Sequence, residues 1–206
     1  MKKSFSLLEI LFIIIILVFI GSFFKTDIVN NKLESAAKRI VLYLKQTRYQ
    51  ALIDNKNNLT DTLWHKKRWT LKFLRCSKKV GGLYYSIYSD KNRTGQISLN
   101  ESLSDPLTNK KIYSSNRCET TTNTSKYVLL TKEFGIEDVE ISCNNTSSLG
   151  QISFGNDGRV YSKLSSYDDE YNEYEIQNSC DIRLIADNKE YIDIVIEPKT
   201  GYVYIK

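Results

Sequence analysis

Between Phe5 and Phe24 the chain carries one charge, Glu9, and this block constrains the fold more than any other feature. Its centre, Ile10–Ile20, reads ILFIIIILVFI with no polar residue. At about 1.5 Å of rise per residue, a helix over Phe5–Phe24 is about 30 Å long, the thickness of a bilayer's hydrocarbon core. Lys2 and Lys3 precede it, so the positive-inside rule places the amino terminus in the cytoplasm and the remainder across the membrane. Gly21-Ser22-Phe23-Phe24-Lys25 is a poor match to a small-x-small signal-peptidase site, and the block is read as retained. A carboxylate inside a membrane helix costs about 2.5–3.5 kcal/mol on insertion scales. Glu9 therefore needs a counter-ion, such as a positive group at the Phe5 nitrogen one turn away, or a place at the water interface.

Averages over the chain conceal this block. Of 206 residues, 41% are hydrophobic and 26% charged, and there are only two prolines, which excludes collagen-like and wholly disordered chains. A mean hydropathy of -0.36 excludes a polytopic membrane protein. The net charge of +5 is unevenly spread, basic over the first hundred residues and acidic after residue 150. An uneven solvated surface is preferred over an orienting dipole.

Lys2-Lys3-Ser4-Phe5-Ser6-Leu7-Leu8-Glu9-Ile10 resembles the prepilin leader and mature start of type IV pilins and pseudopilins. The resemblance implies that a prepilin peptidase cuts between Ser4 and Phe5 and methylates the new Phe5 nitrogen. It also implies that Glu9 neutralises the terminal amine of a neighbouring subunit during assembly. Ser4 stands where the family usually has glycine, and a chain left uncut would be a simple membrane anchor.

After Lys25 the pattern becomes amphipathic. Leu33, Ala36, Ala37, Ile40, Val41, Leu44, Thr47, Ala51 and Leu52 recur at three- and four-residue steps, predicting a helix to about Asn55. Strands are expected at Trp69–Arg75, Leu83–Tyr88, Gln96–Leu99, Tyr127–Thr131 and Val139–Ser142. Further strands are expected at Gln151–Phe154, Arg159–Leu164, Asp181–Ala186, Tyr191–Ile196 and Tyr202–Ile205. Gly155-Asn156-Asp157-Gly158 and Pro198-Lys199-Thr200-Gly201 read as turns between strands. Gln151–Arg159 and Ile192–Val203 also resemble the strand–turn–strand segments of GspH/FimT-like minor pseudopilins.

The expected fold is α+β and pilin-like: a long N-terminal α-helix packed against an antiparallel β-sheet domain, the helix membrane-spanning in its first half and amphipathic in its second. The expected divisions are a leader at 1–4, a transmembrane and assembly helix at 5–24, its amphipathic continuation at 25–55, and a periplasmic β-rich domain at 56–206. The localisation that follows is single-pass in the bacterial inner membrane, amino terminus cytoplasmic and C-terminal domain periplasmic.

Cys76, Cys118, Cys143 and Cys180 all follow the apolar block, where disulfides are the default in an oxidising compartment. Four cysteines permit three pairings, and sequence does not choose among them. Cys76–Cys118 with Cys143–Cys180 is preferred because it closes two separate loops. No pair has the two-residue gap usual for structural zinc, so no metal or other cofactor is expected. His65, the one histidine, reads as an exposed loop residue, and no hydrolase, P-loop or dinucleotide signature accompanies it.

Two charged patches complete the reading. Lys66, Lys67, Arg68 and Lys72, interleaved with Trp69, have the composition of a surface that holds a nucleic-acid backbone, although a solvated face is preferred. Tyr167–Glu175 is rich in carboxylates that suit calcium but lacks the Asp-x-Asp-x-Asp-Gly spacing, so a mobile acidic loop is preferred.

The functional expectation is a non-enzymatic minor pseudopilin, a structural subunit of a type II secretion or type IV pilus-like filament. Its partners would be other pilins or pseudopilins through the N-terminal helix, prepilin peptidase and the inner membrane. The alternatives are a pilin-like component for DNA binding and uptake, or a membrane-anchored extracytoplasmic adhesin outside any filament.

Overall fold

The computed structural model describes residues 7–58 and 60–206, and only the backbone of residues 21–31. Helix α1 spans Leu7–Ile53. No proline interrupts it, and over its second half the three- and four-residue recurrence gives it one continuous apolar face. Leu33, Ala36, Ala37, Ile40, Tyr43, Leu44, Thr47 and Ala51 are all buried there. The alanines let the helix approach the sheets closely. Beyond its last turn, Asp54 accepts the indole N–H of Trp69 at 2.9 Å. Arg48 Nε donates to the Thr200 carbonyl at 2.6 Å.

Among the described residues no helix is long and apolar enough to cross a membrane. Ahead of its buried half, the side chains of α1 are described from Leu7 to Ile20, about 14 residues. The membrane-spanning first half of the expected fold is therefore withdrawn. The single-pass inner-membrane localisation, with its periplasmic body, goes with it. Ser4 and Phe5, the expected cleavage and methylation positions, lie outside the described residues.

The expected single sheet is also corrected, because the strands form two four-stranded antiparallel sheets. The first contains β1 (Trp69–Arg75), β2 (Leu83–Tyr88), β4 (Gln151–Phe154) and β5 (Val160–Tyr161), in the order β2-β1-β4-β5. Leu71 is its central residue, paired with Ile87 on one side and Ile152 on the other. The second sheet contains β3 (Ile136–Ile141), β6 (Cys180–Ala186), β7 (Tyr191–Ile196) and β8 (Val203–Ile205), in the order β3-β6-β7-β8. Along β6 the residues Cys180, Ile182, Leu184 and Ala186 are buried and alternate with half-buried neighbours, the period of two that covers one face. Helix α1 packs on both sheets through β1, β7 and β8.

Two expected strands are absent. Gln96–Leu99 belongs to a loop, and Tyr127–Thr131 is divided between a 3-10 turn at Lys126–Val128 and the short helix α2, Leu130–Phe134. Short apolar runs do not separate strand from helix by periodicity. Here Gly135, at φ 71, supplies the left-handed helix end. The long excursion between β2 and α2 lies along the free edge of β2, where the Ile87 N–H donates to the Ile112 carbonyl and the Leu103 N–H to the Ile87 carbonyl.

Candidate functional site

The first described turns of α1 present their apolar side chains to the surface. Leu7 is 84% exposed, Phe12 63% and Leu17 62%, and Ile10, Leu11, Ile13, Ile14, Ile15 and Ile16 are also exposed. Consecutive exposed apolar residues cover every face of the helix, far beyond the scattered apolar surface of an ordinary monomer. Glu9 lies in the first turn, where the positive end of the helix dipole favours a carboxylate.

The basic residues do not form one patch. Lys67 Nζ pairs with Asp61 Oδ2 at 2.6 Å, and Arg93 binds the other Asp61 oxygen at 2.7 Å. The Lys67 hydrogen bond leads the influences that hold the Asp61 carboxyl below its ordinary range. Lys66 and Lys72 are half-buried, and burial pushes the Lys72 ammonium down. Arg68 turns inward and is 5% exposed. Its guanidinium lies 3.7 Å from the Tyr161 ring centre and 4.8 Å from that of Trp64, and donates to the Tyr171 carbonyl at 2.6 Å. It serves here as a packing residue.

His65 is fully buried, which corrects the expected exposed loop position. The 3-10 turn Trp64–Lys67 presents its Nε2 to the Ser165 carbonyl at 3.1 Å, while its Nδ1 is buried without a partner. Burial pushes the imidazole below its ordinary value, against the opposing pull of the Ser165 carbonyl.

The acidic loop is fastened to this turn. Trp64 stacks on Tyr171 with ring centres 5.9 Å apart, and the Asp169 N–H donates to the Thr62 carbonyl at 3.0 Å. Ser165 Oγ donates to Glu170. The expectation of a mobile loop gives way to a docked one.

The cysteines pair as Cys76–Cys118 and Cys143–Cys180, and none is left free among the described residues. The first bond ties the end of β1 to the long excursion after β2. The second closes the end of the β3–β6 ladder, just beyond the Ile141–Ile182 pair.

One residue pair escaped the sequence reading. Tyr43 on α1 donates its phenol to Asp105 on the excursion, and a separation of sixty-two residues leaves no local pattern to reveal it. No protein-family model, curated protein or solved structure matches this chain.

Proposed function

We propose that this chain is a structural subunit of a pilin-like filament, of the minor pseudopilin kind belonging to type II secretion or type IV pilus-like machines. The observation that carries the reading is the all-round apolar exposure of α1 from Leu7 to Ile20, on the same helix whose later half is the spine of a folded body. A surface apolar on every face is stable when equivalent helices surround it. Other subunits of a filament supply such helices. The leader-like sequence before Leu7 adds the processing step: cleavage between Ser4 and Phe5, methylation of Phe5, and pairing of Glu9 with the terminal amine of a neighbour.

The two disulfides fit a body that folds where thiols are oxidised. A Glu9→Leu substitution tests assembly, because Glu9 lies outside the packed core. The variant should keep the thermal melting of the parent and enter filaments roughly tenfold less, the effect of about 1.4 kcal/mol. Incorporation at the parental level would overturn the Glu9 pairing.

A further inference from the structure

The loop leaving β2 reads Asp90-Lys91-Asn92-Arg93-Thr94-Gly95-Gln96-Ile97-Ser98-Leu99-Asn100-Glu101. Oxygen-bearing side chains stand at its first, third, fifth, ninth and twelfth positions. Glycine is sixth, and the twelfth is glutamate. This is the twelve-residue register in which calcium loops present their oxygens, the seventh contributing its backbone carbonyl. Thr94 stands at position five in place of the usual Asp or Asn and still offers an oxygen.

The fold brings the two ends of this register together. Asp90 accepts the Thr94 N–H at 3.1 Å and the Gly95 N–H at 2.8 Å. Glu101 accepts the Asn92 N–H at 3.2 Å and the Ser98 hydroxyl at 2.6 Å. Gly95 has φ +72, a left-handed conformation that side chains rarely adopt, at the position where the loop must turn sharply. The base is closed by the Ser89 N–H donating to the Glu101 carbonyl at 3.2 Å and by a bridge between Tyr88 and Ser102.

Charge points the same way. Asp90 is 6% and Glu101 7% exposed, and neither belongs to an ion pair among the described residues. Buried carboxylates without an ion-pair partner favour a bound cation. Arg93 of the loop is bonded to Asp61, and Lys72 acts on Asp90 electrostatically without forming an ion pair with it. Asn92, Thr94 and Gln96 remain exposed, so the loop opens to solvent on its ligand-bearing side.

We propose that Asp90–Glu101 binds one calcium ion through the side chains of Asp90, Asn92, Thr94 and Glu101 and the Gln96 carbonyl, with Ser98 contributing directly or through water. The loop joins β2 to an irregular segment instead of linking two helices. The ion therefore fixes the excursion after β2 against the sheet edge and swings no helix. With two carboxylates in the register, the affinity belongs to the weak range of extracellular calcium modules, Kd about 10⁻⁴–10⁻³ M.

Calorimetric titration of the chelator-stripped full-length chain with calcium chloride tests the site. The expected result is saturable binding of one ion per chain, with magnesium chloride at least tenfold weaker. Glu101→Gln and Asn92→Ala should each weaken calcium binding at least tenfold, whereas Asp168→Asn in the acidic loop should leave it unchanged. Asn92 is exposed, so its variant serves if the Glu101 variant does not fold. No saturable binding up to about ten times the upper Kd, or binding lost in Asp168→Asn and retained in Asn92→Ala, would overturn the proposal.

Discussion

The phenol of Tyr43, on the buried face of α1, donates a 2.8 Å hydrogen bond to the carboxylate of Asp105 in the excursion after β2. Burial and this acceptor together push the Tyr43 hydroxyl up to about 12. For Asp105 burial acts upward, but it is outweighed by hydrogen bonds from the Leu107 amide, Tyr43 and Thr108, which hold the carboxyl below its ordinary value. The bond thus fastens an irregular segment to the helical spine.

Tyr43→Phe removes the donor and leaves Asp105 with its loop partners. Stability should fall by about 1–2 kcal/mol in urea denaturation followed by tryptophan fluorescence. The loss should shrink on acidification, because the depressed Asp105 contributes its stability above about pH 3.9 and surrenders it as pH falls through the lower folded value.

Arg68 is held between the Tyr161 and Trp64 rings and donates to the Tyr171 carbonyl. Arg68→Ala should cost about 2–4 kcal/mol by removing a desolvated cation–π contact, a charged hydrogen bond and packing volume. Arg68→Lys should recover only part of this, since an ammonium lacks the planar face. Were Arg68 a nucleic-acid contact instead, both variants would melt with the parent.

His65 gives the body a pH dependence of definite sign. Its folded value lies below the ordinary one, so between the two the unfolded chain binds more protons and stability rises with pH. Stability should therefore decline as pH is lowered below about 6.5, by at most about 1.4 kcal/mol per pH unit from this group. Melting curves at a series of pH values should lose this component in His65→Gln.

The disulfides span sequence separations of 42 and 37 residues. Each should contribute about 2–4 kcal/mol, mainly by restricting the unfolded chain. Their local effects should differ. Cys143–Cys180 flanks a ladder that backbone pairs already hold, whereas Cys76–Cys118 ties down irregular chain. A Cys76→Ser/Cys118→Ser variant should show faster amide hydrogen exchange across residues 103–118, with the β3–β6 ladder unchanged.

These relationships mark how far the sequence could be read. The buried face of α1 was legible because a helix repeats every 3.6 residues, and Leu33 to Ala51 follow that repeat without interruption. Most strands were legible from local alternation, whereas the cysteine pairing was one preference among three that sequence does not separate, and the fold decides it. Arg68 and His65 were misread because a basic run looks solvated, while the Tyr161 ring and the Tyr171 carbonyl, each more than 90 residues away, draw the arginine inward. Tyr43–Asp105 had no local signal at all. The Asp90–Glu101 register was present in the sequence but concealed, because its apolar Ile97 and Leu99 suggested a strand. The membrane-spanning segment was inferred from length and apolarity over Phe5–Phe24, of which the side chains described reach only from Leu7 to Ile20.

The central claim is that the chain is a processed filament subunit, and its amino terminus tests that claim most directly. The measurement is intact-mass and terminal-fragment spectrometry of the full-length chain produced alongside an active prepilin peptidase. The account predicts a mature protein that begins at Phe5 and carries one added methyl group on its terminal nitrogen. A protein that keeps Met1 through Ser4 while the peptidase processes its other substrates would contradict it.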